Sequence, residues 1–111
     1  MEQPEVRIAK TESLFRDVNE RIAESAQGFE SDEASFVCEC ADPECTERVE
    51  APLDAYEEVR AYGMHFLLVP GHENDRVEKV VERRQRYNVV RKVNGIVAAW
   101  ARKLDPRASA A

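Results

Sequence analysis

All three cysteines of the 111-residue chain lie in one stretch, Cys38-Glu39-Cys40-Ala41-Asp42-Pro43-Glu44-Cys45, which we call the cysteine loop. Two cysteines one residue apart and a third five residues further on have the spacing of metal ligands. Pro43 and Asp42 favour a turn, because proline presets one backbone angle and an aspartate accepts hydrogen bonds from nearby amides. The chain can therefore fold back and bring the third cysteine towards the first two.

A structural zinc ion takes four ligands, and three thiolates with one imidazole satisfy it. Two histidines are available for the fourth position, His65 and His72. His72 follows a Pro-Gly turn at the end of a predicted strand, where a side chain can reach out of the sheet. We therefore expect one structural zinc ion, held by Cys38, Cys40, Cys45 and His72. His65, a carboxylate or water remains an alternative fourth ligand, and iron–sulfur ligation or metal-free thiols remain alternatives for the cysteines.

Two reactive uses of the cysteine loop are also open. A catalytic zinc needs a nearby base, and Glu73 or Glu39 could serve. However, the chain lacks a Gly-x-Ser-x-Gly motif, a phosphate-binding glycine loop and the deaminase zinc pattern, so we predict no enzymatic activity. Thiol redox chemistry is the other alternative. The acidic residues in and just after the loop would raise the pKa values of the thiols and favour a divalent cation instead.

Hydrophobic periodicity predicts the elements around the loop. An amphipathic helix is expected from about residue 4 to 27, with an apolar stripe at Leu14, Phe15, Val18, Ile22 and Ala26. Apolar runs at residues 36–38 and 66–69 predict short strands. A short helix is expected to begin at Pro52 and to end near Gly63.

The C-terminal third predicts a hairpin and a helix. Residues 77–92 alternate in two arms joined through Arg83–Arg86, and helical spacing follows between Asn94-Gly95 and Asp105-Pro106. Residues 107–111 resemble a frayed tail. The predicted fold class is α+β: an N-terminal amphipathic helix, a small antiparallel sheet of three to four strands with a β-hairpin, a short middle helix, a zinc-binding loop and a C-terminal helical segment.

The length favours one small zinc-stabilised domain over residues 1–111. Its expected parts are the helix at 4–27, a metal-binding α+β core at 34–92, and a C-terminal helix and tail at 93–111. Apolar residues make up 43% and charged residues 34%, which is globular composition. No run approaches a membrane span, and the N-terminus lacks a secretory signal. We therefore expect a cytoplasmic protein with no membrane partner, and reduced cysteines.

The net charge of −6 is unevenly distributed along the chain. Residues 1–73 carry 18 Asp/Glu against 6 Lys/Arg, whereas residues 74–111 carry 4 against 10. The two parts should attract each other, so the acidic N-terminal helix is expected to lie against the basic C-terminal strands. Alternatively, the basic hairpin binds the phosphates of a nucleic acid. The residues that would do so are Arg83, Arg84, Arg86, Arg91 and Lys92.

The cysteine spacing resembles the zinc-binding run that follows the catalytic domain of many SET-type lysine methyltransferases. This resemblance covers only the eight residues of the cysteine loop. The rest of the chain does not look like that catalytic domain, so the resemblance supports a metal site and not methyl transfer.

A longer resemblance covers roughly residues 11–92 and follows the order of several motifs. They are Leu14–Ile22, the segment Phe36–Glu47, Tyr56–Arg60, Pro70-Gly71-His72-Glu73, Val80–Arg83, Tyr87 and Val89-Val90. In this order they are similar to a family of small, uncharacterised actinobacterial proteins. The resemblance implies that the three cysteines and His72 act as one unit, and it implies no activity.

We expect a small metal-binding protein that acts as a regulatory or adaptor protein through protein–protein contacts. The contact surface would be an exposed helix or the apolar tail around Trp100. The alternative is nucleic-acid binding through the basic hairpin.

Overall fold

The structure is a computed structural model and describes residues 2–107. Over these residues it is an α+β fold, as the sequence predicts, with each expected element within a few residues of its place. The elements in chain order are α1 (Pro4–Gly28), β1 (Glu33–Val37), β2 (Arg48–Pro52), α2 (Leu53–Arg60), β3 (His65–Leu68), β4 (Glu78–Arg83), β5 (Asn88–Lys92) and α3 (Gly95–Lys103).

The strands form two antiparallel sheets rather than the one sheet of three to four strands that we expected. β1 pairs with β2, and the second sheet has the order β3-β5-β4. The predicted β4–β5 hairpin is confirmed, with a register shift between Val80 and Glu82 that leaves Val81 in a β-bulge. The pairing of β3 with β5 joins segments far apart in the chain, and local sequence patterns carry no information about such partners.

β3 and the adjoining part of β5 are buried on both faces. Leu67 and Val89 pack with α2 and the β1–β2 sheet. Phe66, Leu68 and Val90 pack on the other side with the first two cysteines and α3. Burial on both faces explains why β3 and Val89-Val90 of β5 are apolar runs, whereas the edge strand β4 alternates between more and less buried residues. It also places the cysteine loop against the core.

Helix α1 forms where the sequence predicts it, but it buries a different face. Leu14 is 61% exposed and Val18 is 38% exposed, although an apolar stripe normally faces the core. The buried face is largely polar and consists of Ala9, Glu12, Ser13, Arg16, Asn19 and Ala23. Buried polar groups cost free energy unless they are paired, so the reason for this face must lie in their partners.

One set of partners surrounds Lys92 of β5. The ammonium group is fully buried, lies 2.7 Å from Glu12 Oε1 of α1 and also forms an ion pair with Glu78 of β4. It lies 4.5 Å from the centre of the Phe66 ring, within the range of a cation–π contact. Lys92 thereby joins α1 to both strands of the hairpin.

A second set of partners surrounds Arg60 of α2. Its guanidinium contacts Asp105 Oδ1 at 2.6 Å and Glu20 Oε1 at 2.7 Å. Arg16 of α1 donates to two backbone carbonyl oxygens at 2.8 and 3.0 Å. These contacts connect α1, α2 and the segment after α3. The expected attraction between the acidic N-terminal helix and the basic C-terminal strands is realised at Lys92, which pairs with Glu12 of α1, and not in this second set.

The C-terminal helix begins at a conventional cap, because the Asn94 side chain accepts hydrogen bonds from the backbone amides of Ile96 and Val97. The predicted frayed tail is wrong at Arg107, which forms ion pairs with Glu20 and Glu57. Residues 108–111 lie outside the described residues. Within residues 2–107, no helix is both long and apolar enough to cross a membrane.

Candidate metal centre

The cysteine loop connects β1 to β2 and folds back on itself. β1 ends at Val37, and the Cys38 amide donates to Glu47 O at 3.1 Å, which closes the base of the loop. Asp42 forms the predicted turn: its side chain accepts from the Glu44 amide at 2.9 Å, and its carbonyl accepts from the Cys45 amide at 3.1 Å. Local turn chemistry therefore brings the third cysteine back to the first.

His72 lies in the turn that follows β3 of the three-stranded sheet. After β3 the chain turns tightly, with Gly71 at φ 93° and the His72 amide donating to Val69 O at 3.0 Å. A positive φ of this size suits glycine, which has no Cβ to clash. The turn directs the His72 ring at the cysteine loop, and the Val69 amide also donates to Cys38 Sγ at 3.2 Å.

These elements bring the four expected ligands together. One ligand atom from each of Cys38, Cys40, Cys45 and His72 lies within 4.8 Å of all the others. His72 Nδ1 is 3.6 Å from Cys38 Sγ and 3.7 Å from Cys45 Sγ. Zn–S bonds of about 2.3 Å and Zn–N bonds of about 2.0–2.1 Å at tetrahedral angles place S and N about 3.6 Å apart. The cluster has the dimensions to hold a metal ion.

The other nitrogen of the His72 ring has a partner that the sequence analysis missed. His72 Nε2 lies 2.6 Å from Glu47 Oε2. A metal-binding histidine usually hydrogen-bonds a carboxylate through its second nitrogen, which orients the ring and raises its basicity. Glu47 is one of several acidic residues near the cysteines in the sequence. Only the fold, in which the chain returns beside β1, shows which of these acidic residues reaches His72.

Hydrogen bonds among the ligands control their protonation. The Cys38 thiol donates to Cys40, which lowers the pKa of Cys40 to about 5, and His72 contributes in the same direction. That bond, together with burial, raises the pKa of Cys38, while burial raises the pKa of Cys45. The contact with Cys40 raises the pKa of His72. The prediction that the acidic neighbours raise the pKa values of the thiols is therefore wrong for Cys40, and at Cys38 and Cys45 the pKa is raised by other causes. A divalent cation would displace the protons that remain.

Glu39 lies between two of the cysteines in sequence but faces away from them. Its carboxylate is fully buried and accepts hydrogen bonds from Asn19 Nδ2 at 2.8 Å and from the Leu67 amide at 2.9 Å. Its own amide donates to Leu67 O at 2.8 Å. Asn19 also bonds both the amide and the carbonyl of Val37. Glu39 thus attaches the cysteine loop to β3 and α1.

The remaining candidate residues lie elsewhere. His65 begins β3 and packs against Tyr62, with ring centres 4.7 Å apart and a tilt of 32°, and it does not join the cluster. Four arginines of the basic hairpin are exposed, namely Arg83, Arg84, Arg86 and Arg91. Lys92 is buried and ion-paired, so it does not share their surface. Trp100 is half-buried, and the ammonium groups of Lys10 and Lys103 lie 5.4 and 4.6 Å from the centre of its ring.

Comparison with known protein families, with curated proteins and with solved structures finds no match to this chain. The resemblance to small actinobacterial proteins therefore stays a prediction. The geometry of the site is that of a cluster of three cysteines and one histidine that could hold a metal ion.

Proposed function

We propose that this protein binds one structural zinc ion through Cys38, Cys40, Cys45 and His72. The observation that carries the proposal is the pair of S–N separations, 3.6 and 3.7 Å, which are those of a tetrahedral zinc site. Three thiolates and an imidazole favour zinc over the hard cations, which prefer oxygen ligands. Glu47 supplies the supporting carboxylate at 2.6 Å.

The role of the ion is structural rather than catalytic. Four protein ligands complete a tetrahedron, whereas a catalytic zinc keeps one position for water. The two bases considered above are engaged in other contacts. Glu39 is bonded to Asn19 and to the Leu67 amide, while Glu73 accepts from the Gly71 amide at 3.0 Å. Glu39 is therefore directed away from the ligands, and Oε2 of Glu73 is occupied by the Gly71 amide.

Zinc would contribute a large part of the stability of this fold. Structural zinc sites supply about 10–16 kcal/mol of apparent binding free energy, against about 5–15 kcal/mol for the net stability of a domain. The ligands come from both sheets, so their loss would separate the cysteine loop from β3. We therefore expect the metal-free protein to be partly or wholly unfolded.

Native mass spectrometry tests the zinc proposal on protein purified without an affinity-metal step. The wild type should carry one zinc ion per chain, and His72→Ala and Cys40→Ser should carry less. His65→Ala is the matched control, since it removes the other histidine and should retain zinc. A mass of iron and sulfide, or no metal on a folded wild type with three titratable thiols, would contradict the proposal.

The zinc-stabilised fold would serve as a regulatory or adaptor protein that acts through protein–protein contacts. Support comes from the outer side of α1, where Leu14 and Val18 are exposed, and from Phe29, which is 82% exposed. Exposed apolar surface of this kind is often a contact site for another protein. The proposal predicts one partner that co-purifies in high salt and is lost from Leu14→Ser/Val18→Ser. If the Leu14→Ser/Val18→Ser variant binds zinc normally and still retains the partner, this surface is not the contact site.

Nucleic-acid binding is the second candidate function, supported by the four exposed arginines of the hairpin. Of these, Arg84 is already paired with Glu82. A phosphate-binding surface loses affinity steeply as salt rises, because bound counterions are released. If the hairpin binds RNA or DNA, reversing the charge of Arg83 and Arg84 will abolish a salt-dependent mobility shift. A shift that survives this double reversal would place any such binding elsewhere.

A further inference from the structure

A cavity of about 350 Å³ lies between α2 and the three-stranded sheet. It opens beside His65, at the start of β3, whereas the metal cluster lies beyond the other end of that strand. Its volume is at the small end of the range for ligand sites, about 300–1,000 Å³. The cavity is therefore large enough for one small organic group.

Aromatic rings line this cavity. They belong to Tyr62, His65 and Tyr87. Tyr62 is 63% exposed, yet its ring packs against His65 at a tilt of 32° with 4.7 Å between ring centres, so an exposed aromatic side chain is held at the entrance. Burial, together with the nearby charge of Arg91, lowers the pKa of His65. The imidazole is thus uncharged at neutral pH and adds a third aromatic ring to the lining of the cavity.

The charged residues of the lining are all acidic. Glu58 and Glu82 line the cavity, and no lysine or arginine does so among the described residues. Glu82 is paired with Arg84. The Glu58 carboxylate has no hydrogen bond or ion pair with any side chain or amide from residue 2 to 107. Glu58, in the last turn of α2, and Tyr62, just after the helix, both line the cavity.

This lining selects the charge of the ligand. A phosphate or carboxylate would be repelled by the Glu58 carboxylate, and a neutral apolar group would gain nothing from it. Aromatic faces attract cations, most effectively those that are weakly hydrated, such as quaternary ammonium groups. We propose that the cavity between α2 and the three-stranded sheet binds an alkylated ammonium group. Such a group comes from a free small molecule or from a trimethylated lysine side chain.

Two histidines in the whole chain make the test direct, because the ring protons of each give separate nuclear magnetic resonance signals. Zinc-loaded protein is titrated with choline chloride, and in parallel with a short peptide that carries trimethyl-lysine. Both should shift the His65 signal to saturation and leave the His72 signal unchanged. Tighter binding of choline would assign a free small molecule, and tighter binding of the peptide would assign a protein side chain.

The controls separate charge from shape. The neutral isostere of choline, 3,3-dimethyl-1-butanol, should bind at least severalfold more weakly, and potassium chloride should not reproduce the shift. Glu58→Gln removes the negative charge, and Tyr62→Leu removes one aromatic ring. Each substitution should weaken binding about two- to fivefold. Both positions are exposed, so the variants should fold, and the His72 signal reports whether the metal site is intact. Equal binding of the isostere, or no saturable shift with choline and with the peptide, would overturn the proposal.

Discussion

Replacing Lys92 with methionine tests whether buried charge holds α1 in place. The ammonium group is fully buried, and the side chains of its partners Glu12 and Glu78 are each 1% exposed. Methionine retains the apolar part of the side chain and removes the charge, so two carboxylates lose their shared cation in the interior. Breaking a buried ion pair by removing one partner costs about 3–5 kcal/mol. We expect a loss of that size, a large share of the stability of a small domain.

The loss has a pH dependence whose sign follows from Glu12. Burial raises the pKa of Glu12 from 4.5 to about 8 in the wild type, although Lys92 acts to lower it. A carboxyl group with a raised folded pKa contributes stability at low pH and loses it as the pH rises through the folded value. Removing Lys92 raises that pKa further. The variant should therefore continue to lose stability above pH 8, where the contribution of Glu12 in the wild type has levelled off.

Urea denaturation with excess zinc measures the effect, since Trp100 is the single tryptophan and lies half-buried on α3. Taking the difference between variant and wild type at each pH cancels the pH dependence of zinc binding. Arg91→Met is the matched control, because Arg91 is the neighbouring residue of β5 and is exposed. If Lys92→Met is as stable as Arg91→Met, or if its deficit shrinks as the pH rises, the buried ion pair does not stabilise α1.

Three further substitutions test local features. Glu47→Gln should weaken zinc affinity about 10–100-fold in competition with a chelating dye, because His72 loses its carboxylate, whereas Glu44→Gln should not. Asn94→Ala should lower the free energy of unfolding by about 1 kcal/mol, since two capped amides at the start of α3 lose their acceptor, and an unchanged thermal midpoint would contradict this. Gly71→Ala should cost about 1–2 kcal/mol and weaken zinc binding, because φ is 93° there, whereas Gly28→Ala should have neither effect.

Most elements of the fold could be predicted from local sequence because their signals are local. Alternating apolar residues marked the β4–β5 hairpin, and Asn94-Gly95 marked the start of α3. The metal ligands were predictable for the same reason: three cysteines within eight residues can converge on one ion through a single turn, and the turn before His72 restricts where its ring can lie. The assignment needed only residue type, spacing and turn chemistry.

The buried face of α1 could not be predicted, because its reason is not local. Hydrophobic periodicity assigned Leu14 and Val18 to an apolar stripe, yet the helix buries Glu12, Arg16 and Asn19 instead. Each of these polar side chains has a partner at least 18 residues away in the chain. A sequence pattern counts a charge as exposed unless its partner is known. The division of the strands into two sheets was missed for the same reason.

The polar interior and the metal cluster have related structural roles. The two sheets share no strand ladder within residues 2–107, so contacts between side chains and loops must join them. At one end of β3, the three cysteines of the β1–β2 connection meet His72. Beside them, Glu39 binds the backbone of Leu67 while Asn19 binds Val37, which attaches α1 to both the loop and β1. These bonds hold the cysteine loop against the core, so the geometry of the metal ligands depends on polar residues of α1 that lie outside the ligand set.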